Sequence, residues 1–180
     1  MTAIGQDFPQ VLAAAQEGAE WAWAQLYHSV ANQLASFARA KGAPEPEDVV
    51  GEVFYDVARN VKSFEGSEGN FRSWVFGIAH NRLVDQWRRE GRLKDEPRQV
   101  PATVEPAETT AISGALDSPA FQALGGLTDQ QRTVMILRTV ADLSVNEVAD
   151  ALDLKPNAVK ALQHRAVKQL RKALDNPVTK

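Results

Sequence analysis

The 180-residue sequence contains no cysteine, and this absence excludes several kinds of chemistry. Without thiols the chain has no disulfide framework, no thiolate metal site, no cysteine nucleophile and no thiol redox switch. No apolar run approaches the roughly 20 residues that a membrane-spanning helix needs, and no basic signal region precedes Arg39, the first basic residue. We therefore expect a cytoplasmic protein that uses neither a metal nor a cofactor.

An excess of positive charge is also missing, but the charges are distributed unevenly. The chain has 20 Lys and Arg against 23 Asp and Glu, and this net charge of −3 argues by itself against binding to nucleic acid phosphates. Residues 155–180 nevertheless hold seven basic residues and one acidic residue. Such an asymmetry indicates a basic segment with a binding role of its own inside an acidic chain.

Hydrophobic periodicity predicts an all-α fold. Apolar residues recur at helical spacing, whereas the alternation that is typical of strands appears nowhere. In the first 92 residues the pattern predicts helices over 8–16, 19–41, 47–61 and 70–91. Residues 93–120 hold four of the nine prolines, are acidic and show no periodicity, so they are expected to form a flexible linker.

The segment after the linker has the signals of a helix-turn-helix. Thr128 to Gln131 and Ser144 to Glu147 both fit the capping box that opens a helix, and Pro156 suits a first helical position. These signals predict a short helix, a tight turn and a longer basic helix. The expected architecture is therefore two small helical domains, 1–92 and 121–180, with the helix-turn-helix in the second.

The polar side of the last predicted helix suits contact with DNA. Small residues let the helix approach base edges, and longer ones reach bases and phosphates. This side carries Asn157, Ala158, Ala161, His164, Arg165 and Lys168. The alternative is a solvated basic face on the last helix of a bundle, and the capped short helix before it favours DNA binding.

The fourth predicted helix has an aromatic end, an amide and carboxylate middle, and an arginine end on one face. Aromatic side chains stack on unpaired bases and arginines hold the backbone, so this face suits single-stranded nucleic acid. The face and its flanks comprise Asn70, Phe71, Trp74, Asn81, Arg82, Asp85, Arg88 and Arg89. The alternative makes Phe71 and Trp74 core residues of a bundle, and periodicity alone favours it.

Two sets of segments resemble a known family. Residues 47–54 (EDVVGEVF) and 71–90 (FRSWVFGIAHNRLVDQWRRE) resemble conserved region two of bacterial RNA polymerase sigma factors. Residues 127–132 (LTDQQR), 143–152 (LSVNEVADAL) and 158–166 (AVKALQHRA) resemble region four, the last in the form typical of actinobacterial members. Both blocks, their order and the linker are similar to the compact extracytoplasmic-function group.

The resemblance implies a non-catalytic factor that binds core RNA polymerase and promoter DNA and directs transcription initiation. The third helix would dock on the polymerase through Asp48, Val50, Glu52, Phe54 and Tyr55. The following loop and the fourth helix would read the melted minus-ten element through Ser63, Phe64, Asn70, Phe71, Trp74, Asn81, Arg82, Asp85, Arg88 and Arg89. The helix-turn-helix would read the minus-thirty-five element through Lys155, Asn157, Ala158, Lys160, Ala161, His164, Arg165 and Lys168.

Two further expectations accompany the resemblance, and two other functions remain to be weighed against it. Gly51 departs from the glutamine that is usual in the family, which leaves one polymerase contact open. Proteins of this group are commonly held by an anti-sigma factor, which adds a third partner. The alternative function is a stand-alone helix-turn-helix transcription regulator whose N-terminal helices only dimerise. A helical enzyme has little support, because the sequence shows no nucleophile–base pair and no cluster of metal ligands.

Overall fold

The computed structural model describes residues 3–89, 91 and 126–175, and every regular element within them is helical. This confirms the predicted all-α fold, while the predicted linker 93–120 lies outside the described residues. Short 3-10 turns occur at Gly5–Asp7 and Val61–Ser63. The α-helices are α1 (Phe8–Gln16), α2 (Glu20–Ala40), α3 (Pro46–Asn60), α4 (Glu68–Arg89), α5 (Asp129–Thr139), α6 (Val145–Ala151) and α7 (Pro156–Asp175).

Helices α1 to α4 form the N-terminal group and bury their apolar faces against one another. Aromatic and branched side chains fill the space between α2, α3 and α4, and Phe37 meets Phe76 edge to face with ring centroids 5.7 Å apart. Both rings are fully buried, so each contributes about 1.5–3 kcal/mol by leaving water. Helix α4 begins at Glu68, two residues earlier than predicted, because Ser67 caps it.

Helices α5 to α7 form the C-terminal group, and their starts follow the predicted caps. The Thr128 and Ser144 side chains each accept a hydrogen bond from the backbone three residues on, and both reciprocal bonds of the capping boxes are present. Asp153 adopts a left-handed conformation with φ 51°, which turns the chain between α6 and α7. Pro156 opens α7, as expected. The predicted helix-turn-helix is therefore confirmed as α6 and α7.

The two groups pack directly against each other, with α4 lying along α6. Gly77, in the middle of α4, makes this approach possible, because a Cβ atom there would lie 3.1 Å from the backbone oxygen of Ala151. Nearby, the Arg72 guanidinium donates to the carbonyl oxygens of Ala141 and Asp142 at 3.1 and 3.0 Å. We call the whole interface between the N-terminal group and the C-terminal group the seam.

A buried lysine forms the other end of the seam. The side chain of Lys41 is 1% exposed, and its Nζ donates to Asp129 Oδ1 at 2.9 Å and to Thr133 Oγ1 at 2.7 Å. The same ammonium group lies 5.0 Å from the ring centroid of Trp87, in a cation–π contact. His80 is half-buried near this charge, and its partial burial together with Lys41 lowers its pKa to about 4. The seam is thus fixed by charge as well as by apolar contact.

Candidate nucleic-acid and polymerase interfaces

The loop between α3 and α4 places two aromatic rings face to face. Phe64 lies in this loop and Trp74 in the second turn of α4, with ring centroids 4.9 Å apart and ring planes inclined by only 17°. Both side chains are half-buried, so part of each remains in contact with solvent. A partly exposed stacked pair can be extended by a further planar ring, such as an unpaired base.

Phe71 supports this pair without reaching solvent. Its ring meets Phe64 and Trp74 edge-on, with centroid distances of 5.7 and 6.0 Å, and its exposed fraction is 0%. The bundle-core interpretation therefore describes Phe71, whereas Trp74 lies at the edge of the core. In this conformation Phe71 cannot stack on a base, and its contribution to the surface is to hold the other two rings.

Asn70 fixes the start of α4 through a reciprocal cap. Its Oδ1 accepts from the backbone N–H of Ser67 at 3.0 Å and from the Ser67 hydroxyl at 2.7 Å, while its own N–H donates to that hydroxyl at 3.3 Å. Gly66 has φ 151°, and a Cβ atom there would lie 2.9 Å from the Cβ of Asn70. At the other end of the loop, the Ser63 hydroxyl donates to Asn60 O at 2.9 Å.

Arg82 is bound to two carboxylates of α3. Its Nε donates to Asp56 Oδ2 at 2.7 Å and its Nη1 to Glu52 Oε2 at 2.6 Å. The hydrogen bond from Arg82 holds the pKa of Asp56 below its ordinary value. The structure thus joins a residue predicted for DNA contact to a residue predicted for polymerase contact, and the charge of Arg82 is largely neutralised in this conformation.

The last turns of α4 leave their polar side chains open to solvent. Arg88 and Asp85 are 68% and 61% exposed, and their 3.5 Å ion pair is too long and too open to contribute much stability. The Arg89 Nε donates to the backbone oxygen of Asp85 at 3.3 Å, and Asn81 is exposed. These side chains lie on the surface beyond the aromatic pair, as the helical wheel predicts.

Helix α3 presents acidic and aromatic side chains to solvent. Asp48 and Glu52 are exposed, Tyr55 is 63% exposed, and Phe54 is half-buried against the ring of a tyrosine on α2. Val50 is only 3% exposed and belongs to the core, so it cannot touch a partner directly in this conformation. An exposed aromatic ring among carboxylates is a surface that suits a basic protein partner.

A cleft of about 510 Å³ separates the N-terminal half of α3 from the C-terminal half of α4. Glu45, Asp48 and Glu52 line one wall, and Arg82 and Arg89 line the other. A hydrogen bond with Asp48 and repulsion between the two carboxylates raise the pKa of Glu45. The cleft therefore has an acidic wall that faces a basic one.

The polar side of α7, unlike the cleft, presents basic side chains to solvent with no acidic wall opposite them among the described residues. Lys155, Lys160, Arg165 and Lys168 are exposed, and none of them forms an ion pair within the part of the chain that the structure describes. Asn157 and His164 are exposed beside them, and Ala158 and Ala161 are half-buried between them. Val159 and Ala166 are fully buried on the opposite side. The predicted division of this helix into a packed side and an open side is confirmed.

The seam residues are absent from the sequence prediction. Lys41, Arg72 and Gly77 were not expected to carry an interface, because neither charge stands in a periodic pattern. One signal was available: an isolated glycine inside a helix costs about 1 kcal/mol relative to alanine, and such a glycine commonly marks a close approach of another backbone. Gly77 fits that description.

In residues 3–89, 91 and 126–175, no group of three or more His, Asp or Glu side chains is arranged to hold a metal ion. No helix in these same ranges is both long enough and apolar enough to cross a membrane.

Two family models match separate parts of the chain. Residues 26–93 match the family model of sigma-70 region 2, and residues 123–172 match that of sigma-70 region 4. The chain is 28% identical over 176 residues to the ECF RNA polymerase sigma factor SigK of Mycobacterium ulcerans, which covers 94% of each protein.

Solved structures give the same result. The chain is similar to CnrH in complex with the cytosolic domain of CnrY, with a TM-score of 0.68 and 27% identity over 92% of this chain and 95% of that one. It is also similar to the sigma factor RpoE in complex with the anti-sigma factor NepR from Bartonella quintana, with a TM-score of 0.67 and 25% identity over 85% and 96% of the two chains. The chain therefore belongs to the sigma-70 family, in its extracytoplasmic-function group, and acts with RNA polymerase in promoter-directed transcription initiation.

Proposed function

We propose that the N-terminal group docks on core RNA polymerase and captures unpaired bases of the minus-ten element, and that α7 reads the minus-thirty-five element as duplex. The observation that carries the first part is the stacked pair of Phe64 and Trp74, held at the surface by a capped loop. Stacking on aromatic side chains contributes about 1–3 kcal/mol per base and needs no particular base sequence. Arg88, Arg89 and Asn81 would then hold the strand that carries the captured base.

The open side of α7 supports the second part of the proposal. Two alanines let the helix backbone approach the floor of the major groove, while Arg165 and Asn157 reach base edges and Lys168 reaches a phosphate. Within residues 3–89, 91 and 126–175 these cations form no ion pair, so none of those residues has to release them before they meet DNA. This makes α7 the recognition helix of the helix-turn-helix.

Polymerase docking is assigned to the exposed surface of α3. Asp48, Glu52 and Tyr55 carry it, with Phe54 at its edge and Val50 holding the helix in place from within the core. Gly51 is exposed with open space around it, so the missing glutamine side chain removes a contact without reshaping the helix. Since CnrH and RpoE were solved with CnrY and an anti-sigma factor, respectively, we assign this protein an anti-sigma partner as well.

Simultaneous reading of both elements requires the seam to open. Positions minus ten and minus thirty-five lie about 25 base pairs apart, or roughly 85 Å at 3.4 Å per base pair. A compact chain of 180 residues has a radius of gyration of only about 16 Å. The contacts of Lys41 and Arg72 with the C-terminal group therefore break when the protein spreads along a promoter.

In vitro transcription with core RNA polymerase tests this function. A template library randomised at both promoter elements removes the need for a known promoter. We expect transcripts that depend on this protein and are enriched for one sequence at each element. A library that stays random in the presence of the protein would contradict the proposal.

The alternative function, a stand-alone helix-turn-helix regulator, predicts different results. A stand-alone regulator would bind duplex DNA without polymerase, and Trp74→Leu would not change strand opening. The match of residues 26–93 to sigma-70 region 2 does not favour that alternative, because it leaves the N-terminal group a role beyond dimerisation.

A further inference from the structure

The segment that precedes the region-2 match touches the aromatic loop at three places. We call residues 4–16 the N-terminal brace; it consists of the first 3-10 turn, α1 and the residue before them. The region-2 match begins at residue 26, so the brace lies outside it. Its contacts converge on the backbone and the rings that form the surface assigned to the minus-ten element.

Gln16 makes the most direct of these contacts. Its side-chain amide donates to the backbone oxygens of Val61 and Phe64, both at 2.9 Å. A glutamine amide has two N–H donors, so both are used on the same short turn of the loop. These two oxygens lie on either side of Ser63, and Phe64 is itself one member of the stacked pair.

The other two contacts bind the brace to the start of α4. The carboxylate of Glu68 accepts from the backbone N–H groups of Ile4 and Gly5 at 2.8 and 2.9 Å. The ring of Phe8, which is 2% exposed, lies 5.8 Å from the ring of Phe71 beneath the stacked pair. The brace thus holds the loop at its turn, at its aromatic support and at the helix that follows it.

We infer that Gln16 is a positioning residue for base capture: it fixes the loop so that Phe64 and Trp74 are arranged before DNA binds. This inference rests on the proposed function. A loop that is already ordered loses less conformational entropy on binding, and a fixed loop backbone beside the rings adds the base selectivity that stacking alone does not give. Loss of the two hydrogen bonds should therefore relax the choice of base at the minus-ten element.

The test is the randomised-library transcription described above, carried out with the Gln16→Glu holoenzyme. Gln16→Glu keeps the size of the side chain but places a carboxylate against two carbonyl oxygens. Gln10→Glu, an exposed position on the same helix, is the matched control for charge. We expect Gln16→Glu to reduce the enrichment of the preferred minus-ten bases about tenfold, with the minus-thirty-five profile and the Gln10→Glu profile unchanged.

A second pair of variants separates positioning from folding. Gln16→Met removes the donors without adding charge, and Gln10→Met is its control. If both Gln16 variants give a lower transcript yield but the wild-type base profile, Gln16 has a structural role only and the inference is wrong. The inference is also wrong if both variants match the wild-type protein in yield and in base profile. If the wild-type protein itself enriches no sequence, the proposed function is wrong, and so is the inference that rests on it. If the wild-type protein enriches a sequence and the Gln16 variants keep its base profile, only the inference is wrong.

Discussion

The N-terminal group and α7 hold their positive charges differently, although Arg88 and Arg89 at the end of α4 are exposed like those of α7. In the N-terminal group, Arg82 is bound to two carboxylates and Lys41 is buried against another, so these charges are already satisfied within the protein. On α7, Arg165 and Lys168 are exposed and form no ion pair with any acidic residue that the structure describes. The difference fits the proposed roles, in which stacking on a fixed surface would hold unpaired bases and charges that displace counterions would hold duplex.

This contrast also explains why a net charge of −3 does not argue against DNA binding by α7. The acidic total includes carboxylates that pair with the cations of the N-terminal group, so it says little about α7. Residues 155–180 hold seven basic residues and only one acidic residue, so this segment has a net positive charge inside an acidic chain. An acidic protein with one open basic helix is expected to bind duplex weakly alone and more strongly when polymerase adds contacts of its own.

The largest expected effect concerns the stacked pair. Trp74→Leu removes the indole on which a base would stack, so the affinity of the holoenzyme for single-stranded minus-ten DNA should fall about 10- to 100-fold. Fluorescence anisotropy with a labelled oligonucleotide measures this. Trp21→Leu is the control, since Trp21 is a 55% exposed tryptophan on α2, outside the proposed base-binding surface. Equal affinities of the two variants would remove stacking from the account.

The second effect tests the seam that joins the two surfaces. The folded protein resists protonation of His80, whose pKa is about 4, whereas the unfolded chain takes up this proton near the ordinary value of 6.5. The free energy of unfolding should therefore decrease as pH falls from 6.5 to 4, by about 2 kcal/mol at 1.36 kcal/mol per pKa unit after allowance for partial exposure.

Urea unfolding at a series of pH values measures this decrease. His80→Gln should flatten the profile between pH 6.5 and 4, while His28→Gln, at an exposed position on α2, should leave it unchanged. At still lower pH Asp129 contributes as well: burial raises its pKa, but the charge of Lys41 outweighs burial and lowers it on balance. The stability that this carboxylate contributes is then lost as pH falls through its folded pKa. A profile that His80→Gln does not alter would contradict the half-buried neutral imidazole.

A third effect concerns the open charges of α7. Lys168→Ala should reduce the slope of log affinity against log salt by about 0.9, one phosphate contact, and Arg165→Ala should weaken duplex binding about fivefold at moderate salt. Arg59→Ala is the control, because this exposed arginine lies on α3, outside the helix-turn-helix, and its loss removes the same positive charge. An unaltered slope in Lys168→Ala would take that residue out of the DNA contact.

The smallest effect compares two glycines in helices. Gly51 has open space around its Cα, so Gly51→Ala should raise the free energy of unfolding by about 0.5–1 kcal/mol through helix propensity. Gly77→Ala gains the same propensity but brings a methyl group to 3.1 Å from the Ala151 oxygen, so it should lower stability and loosen the seam. Thermal unfolding measures both. The same sign for both variants would mean that the seam is not closely packed.

The sequence predicted the local structure well because its signals are local. Capping boxes at Thr128 and Ser144, the proline at 156 and helical periodicity each act within a few residues, and the helices begin and end within two residues of the expected positions. The cap of α4 was missed because Asn70 occupies the position where the usual signal has Glu or Gln.

Contacts between distant segments could not be predicted in the same way. A helical wheel places Phe71 beside Trp74, yet only the packing of α1 and the loop decides that one is buried and the other reaches the surface. Gln16 carries no signal at all, since its partners are backbone oxygens more than 40 residues away. The pairing of Lys41 with Asp129 spans 88 residues and depends on how the two groups pack.

The central claim is that one surface opens and holds single strands while the other holds duplex. Permanganate reactivity of unpaired thymines, measured on a selected promoter with wild-type, Trp74→Leu and Arg165→Ala holoenzymes, tests it most directly. At saturating protein, Arg165→Ala should recover wild-type strand opening, because only duplex binding is weakened. Trp74→Leu should remain deficient at every concentration. If saturation restored Trp74→Leu to full opening, the division of labour between the two surfaces would be wrong.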